Sequence, residues 1–569
     1  MGDIKMASKK KNMPEQTAEQ QVADYLMSML MTLYVFVMLV IYPLFYQNKY
    51  YDMGDAKYSF FKYMSIFFLI FFSVFLILWL AAYREKFTFQ NAIKKFSKTD
   101  WFAAAFLVFS YLSYFLSDYK VAAEGSSSCA LTGYSGWYMG LVSQVMFVLI
   151  YFAVSRFWKW SPFTLGMAVV AAGIANQLAI WHRFSIDPLG MYENLAAEYI
   201  EKFVSTLGQT TWFSSYAVLL FPVVAFLYWK EERLWARILS GFLVAIGYGS
   251  LSTVNSDSAY VAFVLILMTF FWFSLESNTA FQRFLEIVLI GLVSFRVIGI
   301  MQVNFPEKMI QLITGDEKIS FFITQSYFMQ GCLIVFIILY LIYCIITDET
   351  FSEKRKKKFE IRNLLWLRKL MLVAAAAVLA GVVLLIVLAT KKMLPHALEG
   401  LYKIGFFNFD NQWGNCRGFN WRMAVKAFSG ASFKDVLVGV GPDCFAMSMD
   451  KYCAEEVAVF WQGMQLACAH NEFLNMLVTQ GLLGVTAYLG IFISFIVRCI
   501  SFGGKDARVI PFMAAALAYV GHNFFCYQQC ICTPIVFIMM GIGEMLMRNH
   551  TGNGKMEKDA KKEKDSKKR

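Results

Sequence analysis

Between Asn411 and Gly490 the chain carries residue types that could hold a diphosphate and move a proton beside it. They are Arg417-Gly418, Trp421-Arg422, Gly439-Val440-Gly441-Pro442 and His470-Asn471-Glu472, followed by Gly481 and Gly484. A guanidinium gives phosphate two parallel hydrogen bonds, which an ammonium cannot, so Arg417 and Arg422 are the candidate anion-binding groups. His470 stands just before Asn471, which opens an apolar run to Val497 and can cap it as a helix. A helix N-terminus carries partial positive charge, attracting phosphate and disfavouring an imidazolium. A neutral imidazole there can act as a base, or the histidine can simply anchor the helix at an interface.

The glycines have less specific readings. Gly439-Val440-Gly441-Pro442 is a turn signal, while Gly481 and Gly484 read as small faces that allow a neighbouring helix to approach closely. Trp421, Ala424, Val425 and Phe428 recur at helical spacing, with Arg422 and Lys426 on another face, as in a helix lying along a membrane surface. Arg296 falls inside an apolar window. It is read either as a functional arginine facing the protein interior or as one snorkelling to the surface. Asp257 stands at the end of a span and reads as a helix cap; His522-Asn523 reads as a packing or cavity pair.

Other chemistry is poorly supported. The 11 cysteines show no paired Cys-x-x-Cys or Cys/His spacing, so neither a metal nor another cofactor is expected. Cys416, Cys444, Cys453 and Cys468 fall in one segment and allow two disulfides in three connectivities, or four free thiols.

The elements that must position these residues are membrane helices. At 569 residues, 58% hydrophobic and 17% aromatic, with mean hydropathy +0.51, the chain has more apolar surface than a water-soluble core can use. Apolar windows of spanning length fall near 26–46, 60–83, 101–117, 137–155, 162–182, 210–229, 234–251, 258–275, 284–301, 324–346, 371–390, 472–497, 509–526 and 530–547. The expected fold is an all-α, polytopic helical bundle of about fourteen transmembrane helices, with one large extracytoplasmic loop carrying short helices.

The net charge of +12 does not mark a nucleic-acid partner, because most lysines and arginines lie in short segments between spans and in the C-terminal tail. Their distribution puts the N- and C-termini in the cytoplasm. It divides the chain into a cytoplasmic segment 1–25, a transmembrane bundle 26–392, an outer loop 393–470, C-terminal spans 471–547 and a basic tail 548–569. No internal repeat is evident, which disfavours an inverted-repeat transporter.

The ordered matches of Arg417-Gly418 with Trp421, Leu437 to Pro442 with Phe445, and His470-Asn471 with Gly481 and Gly484 resemble the O-antigen ligase and polymerase family. These are bacterial membrane glycosyltransferases that use undecaprenyl-diphosphate-linked glycans. Thinner similarity extends back through Ser205-Thr206-Leu207-Gly208 and Asp187-Pro188 to Gly133. The resemblance implies a metal-independent enzyme with His470 acting on an acceptor hydroxyl and arginines holding the donor diphosphate. Its partners would be the lipid-linked donor, a glycan or glycolipid acceptor, and the bilayer. Two departures stand out: Asp257 follows Ser256 where many members have arginine, and Trp137 takes another arginine position; Arg296 is a candidate substitute for one of the two. The rival expectation is a transporter or flippase of lipid-linked glycan, which calls for charged residues through the depth of the membrane.

Overall fold

The computed structural model describes residues 16–120, 128–254, 256–310, 319–348 and 359–566, with backbone alone for 551–566. The N-terminal lysines, part of the basic segment 354–369 and the tail's last residues lie outside this description. The chain is mostly helical, and eleven helices among the described residues are long and apolar enough to cross a membrane. It is an all-α, multi-pass membrane protein.

The helices that position the site are, in chain order, α1 (Ala18–Leu44), α2 (Met53–Ala82), α3 (Lys98–Leu116), α4 (Leu141–Phe157), α5 (Pro162–Arg183), α6 (Thr210–Lys230), α7 (Leu234–Val254), α8 (Asp257–Ser274) and α9 (Asn278–Asn304). They continue with α10 (Tyr327–Thr347), α11 (Leu367–Thr390), α12 (Trp413–Ser429), α13 (Glu472–Gly503), α14 (Ile510–Asn523) and α15 (Thr533–Ser566). Every apolar window falls on one of these helices. Of the windows outside the eleven, α4 has 17 residues and α14 only 14. The window at 509–526 is cut short because α14 ends at Asn523, and irregular backbone follows until α15.

Burial separates centre from rim. α6 has most of its apolar window inside the protein, whereas α10 and α11 have none and turn their Leu, Ile and Val side chains outward. In a bilayer such outward faces meet lipid, which satisfies them without protein packing. α1 passes through a π-helical stretch, Val37–Ile41, just before Pro43, whose missing N–H removes a ladder bond. Lys57 of α2 is fully buried, and its Nζ donates to the carbonyls of Tyr42 (2.7 Å) and Pro43 (3.0 Å). These carbonyls end α1, so the cation sits where the helix dipole favours it.

Alternating helix directions gather equivalent termini at two ends. One end holds the start of α3 and the ends of α4, α13 and the described part of α15, joined by ion pairs at Asp100 and Glu544. The other holds the end of α3, the start of α13 and the irregular stretch 524–532. Two short antiparallel hairpins also lie in its connections, Ser128–Cys129 with Gly133–Tyr134 and Phe203–Val204 with Gly208–Gln209.

α13 is broken in its third turn. Gly481 adopts φ +67°, ψ −173°, a region essentially reserved for glycine. The break frees helix carbonyls, and backbone from the preceding segment takes them. Val440 N–H donates to Val478 O (3.2 Å) and Gly441 N–H to Thr479 O (3.0 Å). A Cβ on Gly439 would run into Thr479, and one on Gly481 into Leu437. The two glycines therefore serve backbone crossing backbone. At Gly481 the missing Cβ lets the neighbouring short helix Phe433–Val438 approach closely, whereas at Gly484 an added Cβ would meet only the Gln480 side chain of its own helix. Ser113 and Ser117 of the α3 end lock the crossing by donating to Thr479 O (3.1 Å) and Val440 O (2.6 Å).

Candidate functional site

His470, Asn471 and Arg417 meet at the start of α13. Asn471 caps the helix as its sequence position suggests, its Oδ1 accepting from the N–H groups of Phe473 and Leu474, both at 3.0 Å. Its Nδ2 donates to Phe524 O at 2.9 Å, and Arg417 Nε donates to the next carbonyl, Phe525 O, also at 2.9 Å. Helix cap and arginine thus hang on consecutive carbonyls of the stretch that truncates α14. Arg417 follows three residues with left-handed backbone, Gly414 (φ 59°), Asn415 (φ 59°) and Cys416 (φ 67°). For Cys416 that conformation is costly, and such strain persists only where surrounding structure imposes it. Gly418 is required next because a Cβ would strike the carbonyl of Asp410.

His470 is half-buried with positive φ (52°), and its ring nitrogens have no hydrogen-bond partner among the described residues. Burial, and then the charge of Arg417, lower its pKa to about 4. The imidazole is therefore neutral at physiological pH, with both nitrogens available. Tyr527 presents itself edge-on to the imidazole (5.2 Å, 78°), and Trp137 stacks on the far face of Tyr527 (4.2 Å, 7°). The Tyr527 hydroxyl accepts from Trp212 Nε1 at 3.1 Å. Trp137 and Tyr527 thus form an aromatic stack beside the histidine.

The other sequence candidates lie apart. Arg422 is solvent-exposed on α12, and neighbouring Lys426 pairs with Glu456. On the same helix Val425 is exposed while Ala424 and Ala427 are buried, so the apolar stripe is displaced from the expected one. Arg296 lines a small cavity between α9 and α10 with Thr324, Ser326 and Gln330, and no contact joins it to Arg417 or His470. Cys416, Cys444, Cys453 and Cys468 are all free thiols. His522 is buried and bonds to Ser214 (3.0 Å), which bonds in turn to Ser256 (2.9 Å), an interior polar chain rather than a ligand set.

Sequence reasoning missed Asp443 and named Glu472 without giving its carboxyl a role. Asp443 follows the glycine turn directly, at φ 60°, and its Oδ2 accepts from the N–H groups of Tyr134 (2.7 Å) and Met139 (2.9 Å). Burial pushes its pKa up to about 7 against the lowering effect of those two bonds. Glu472, first residue of α13, is fully buried and accepts from Gln528 N–H. The signal for both was an acid embedded in an apolar run beside a recognised motif.

Fold and site define a multi-pass α-helical membrane protein with an unpaired histidine and arginine at one end of the bundle. The chain matches no family model and no curated protein.

Proposed function

We propose that the protein is a metal-independent membrane glycosyltransferase that moves a glycan from an undecaprenyl-diphosphate-linked donor to an acceptor hydroxyl, as an O-antigen ligase or a polysaccharide polymerase does. The observation that carries this reading is a neutral, unbonded imidazole beside Arg417, itself without an ion-pair partner among the described residues, at a capped helix N-terminus. Arg417 would hold the diphosphate and stabilise charge as it leaves, while His470 accepts the proton of the attacking hydroxyl. An imidazole with pKa about 4 is by itself a weak base. A bound diphosphate dianion would neutralise Arg417 and raise the imidazole's proton affinity, so the donor would complete the base it needs.

The orientation belongs to this proposal. With all fourteen apolar windows crossing, the positive-inside rule puts both termini in the cytoplasm and the 393–470 segment outside the cytoplasmic membrane. A tag at Gly430 is then accessible in intact cells. Protection of that tag would place the site on the wrong side for a donor already carried across.

The transporter reading draws on the break in α13 and the buried Lys57, features that intramembrane binding sites use. The break, however, is filled by the 437–441 backbone. Reconstitution with lipid-linked glycan and candidate acceptors, reading product length, separates the two. Transfer that survives His470→Ala would remove the enzymatic role of the histidine.

A further inference from the structure

Asp443 and Glu472 are joined by an unbroken chain of hydrogen bonds around a narrow cavity. Met139 N–H donates to Asp443, and Met139 C=O accepts from Gln144 Nε2 (2.8 Å). The same Gln144 Nε2 donates to Gln528 Oε1 (2.8 Å), and the Gln528 backbone N–H donates to Glu472. Asp443, Gln144 and Gln528 line the cavity with Trp137 and Tyr527, and its space is about that of one water molecule. Gln144 Oε1 and Gln528 Nε2 have no partner, although both residues are at least 95% buried. An unmet acceptor and an unmet donor on one wall are what a bridging water satisfies.

Among the described residues no cation compensates the two acids. The titratable groups that interact with them are Tyr134 of the first hairpin, Cys526 of the 524–532 stretch, Cys444 and Cys468 before α13, Tyr488 of α13 and Tyr519 of α14, with Tyr527 on the cavity wall. None of these is a cationic group. Arg417 acts on His470, Cys468 and Cys526 and bonds to the far side of the same stretch. Two buried carboxyls in one hydrogen-bonded chain without a counter-charge among the described residues cannot both ionise cheaply.

We propose that Asp443 and Glu472 form a proton-holding pair, bridged by a buried water between Gln144 and Gln528, whose protonation keeps the site end of the bundle assembled. The chain ties together four separate pieces: the 437–443 segment, the 139–144 segment entering α4, the start of α13 and the 524–532 stretch. The last two carry His470, Tyr527 and the carbonyls that hold Asn471 and Arg417. Loss of the proton leaves net negative charge in the middle of this clamp and loosens it. The carboxyls act as positioning groups and do not touch the substrate. Asp443, raised to about 7, gives the sign: its contribution to stability is full below the ordinary carboxylate range and is lost as pH rises through about 7. The consequence for catalysis rests on the transfer reading; the proton pair itself does not.

The test is infrared difference spectroscopy of the purified full-length protein, without substrate, from mildly acid to mildly alkaline pH. The wild type should lose a protonated-carboxyl C=O band across neutrality. Asp443→Asn and Glu472→Gln should each remove or displace it. Thermal unfolding over the same range should show stability falling with pH in the wild type and a flatter profile in Asp443→Asn, which mimics the protonated acid. A neutral-range band identical in the wild type and both variants, or no such band in the wild type, would overturn the proposal. Stabilisation of the wild type by sodium or potassium that both variants lose would also overturn it, in favour of a bound cation. Because no step uses a donor or acceptor, a failed transfer assay leaves these outcomes unaffected.

Discussion

The two ends of the bundle bury charged groups in opposite ways. At one, Asp100 and Glu544 are fully buried, but each faces two guanidinium groups: Arg156 and Arg548 for Asp100, Arg498 and Arg548 for Glu544. Tyr151 and the Ser97 capping box take further carboxylate lone pairs, and Arg498 also reaches Thr99. At the other end the candidate site residues stand without such partners among the described residues. His470 has no hydrogen bond, Arg417 bonds only to carbonyls, and Asp443 and Glu472 accept from backbone N–H groups with no ion-pair partner. Arg183, also fully buried at this end, uses one nitrogen on Glu201 O and leaves two without partners. A compensated cluster staples helices, whereas uncompensated groups cost stability and persist where something outside the chain completes them.

Mutations should separate the ends, and the largest effect belongs to the histidine. His470→Ala should keep folding and donor binding while transfer falls by about 10²- to 10⁴-fold, the usual worth of a positioned base. Single-turnover assays on purified protein check it, and near wild-type transfer would leave His470 as a helix anchor only. Glu544→Ala should do the reverse, since orphaning buried guanidinium groups costs about 3–5 kcal/mol of stability with turnover per folded molecule unchanged. Thermal unfolding together with active-site titration would reveal any catalytic defect there, which would blur the contrast.

The pH profile sharpens the comparison. With the His470 pKa near 4, transfer limited by the free enzyme should hold through mildly acid pH and decline only as pH falls towards that value. Arg417→Ala removes a repelling cation and should move the decline to higher pH, besides weakening donor binding. An unmoved profile in this variant would break the coupling between the two residues. Asn471→Ala should cost roughly 0.5–2 kcal/mol of cap stability, read by chemical denaturation. The smallest effect is assigned to Arg422→Ala, an exposed residue whose loss should change stability within about 0.5 kcal/mol and leave transfer intact. A large loss of transfer there would restore it to the diphosphate site.

Much of this was legible in the chain. The fourteen apolar windows and the Asn471 cap follow from residue type and local spacing, because hydrophobic length and helix capping act over a few residues. The same local logic read Gly481 as a packing face but not as a break. Nothing nearby announces that the helix kinks there and that the 437–441 backbone takes the freed carbonyls. Arg296 and Arg422 looked equivalent to Arg417 as arginines at or near an expected membrane surface, yet only Arg417 is carried to His470 by a left-handed turn and the carbonyl of Phe525.

Sequence alone therefore determined which stretches are apolar enough to cross the membrane and which residue types could bind phosphate or accept a proton. Tertiary structure decided that Asp443 and Glu472, 29 positions apart, are linked through Met139, Gln144 and Gln528. It also decided that Trp137 and Tyr527 stack beside the histidine. Those contacts join segments separated by hundreds of residues, and they exist only because antiparallel helices return the chain to the same end of the bundle, where partners are selected by packing and by the need of each buried polar group for a bond.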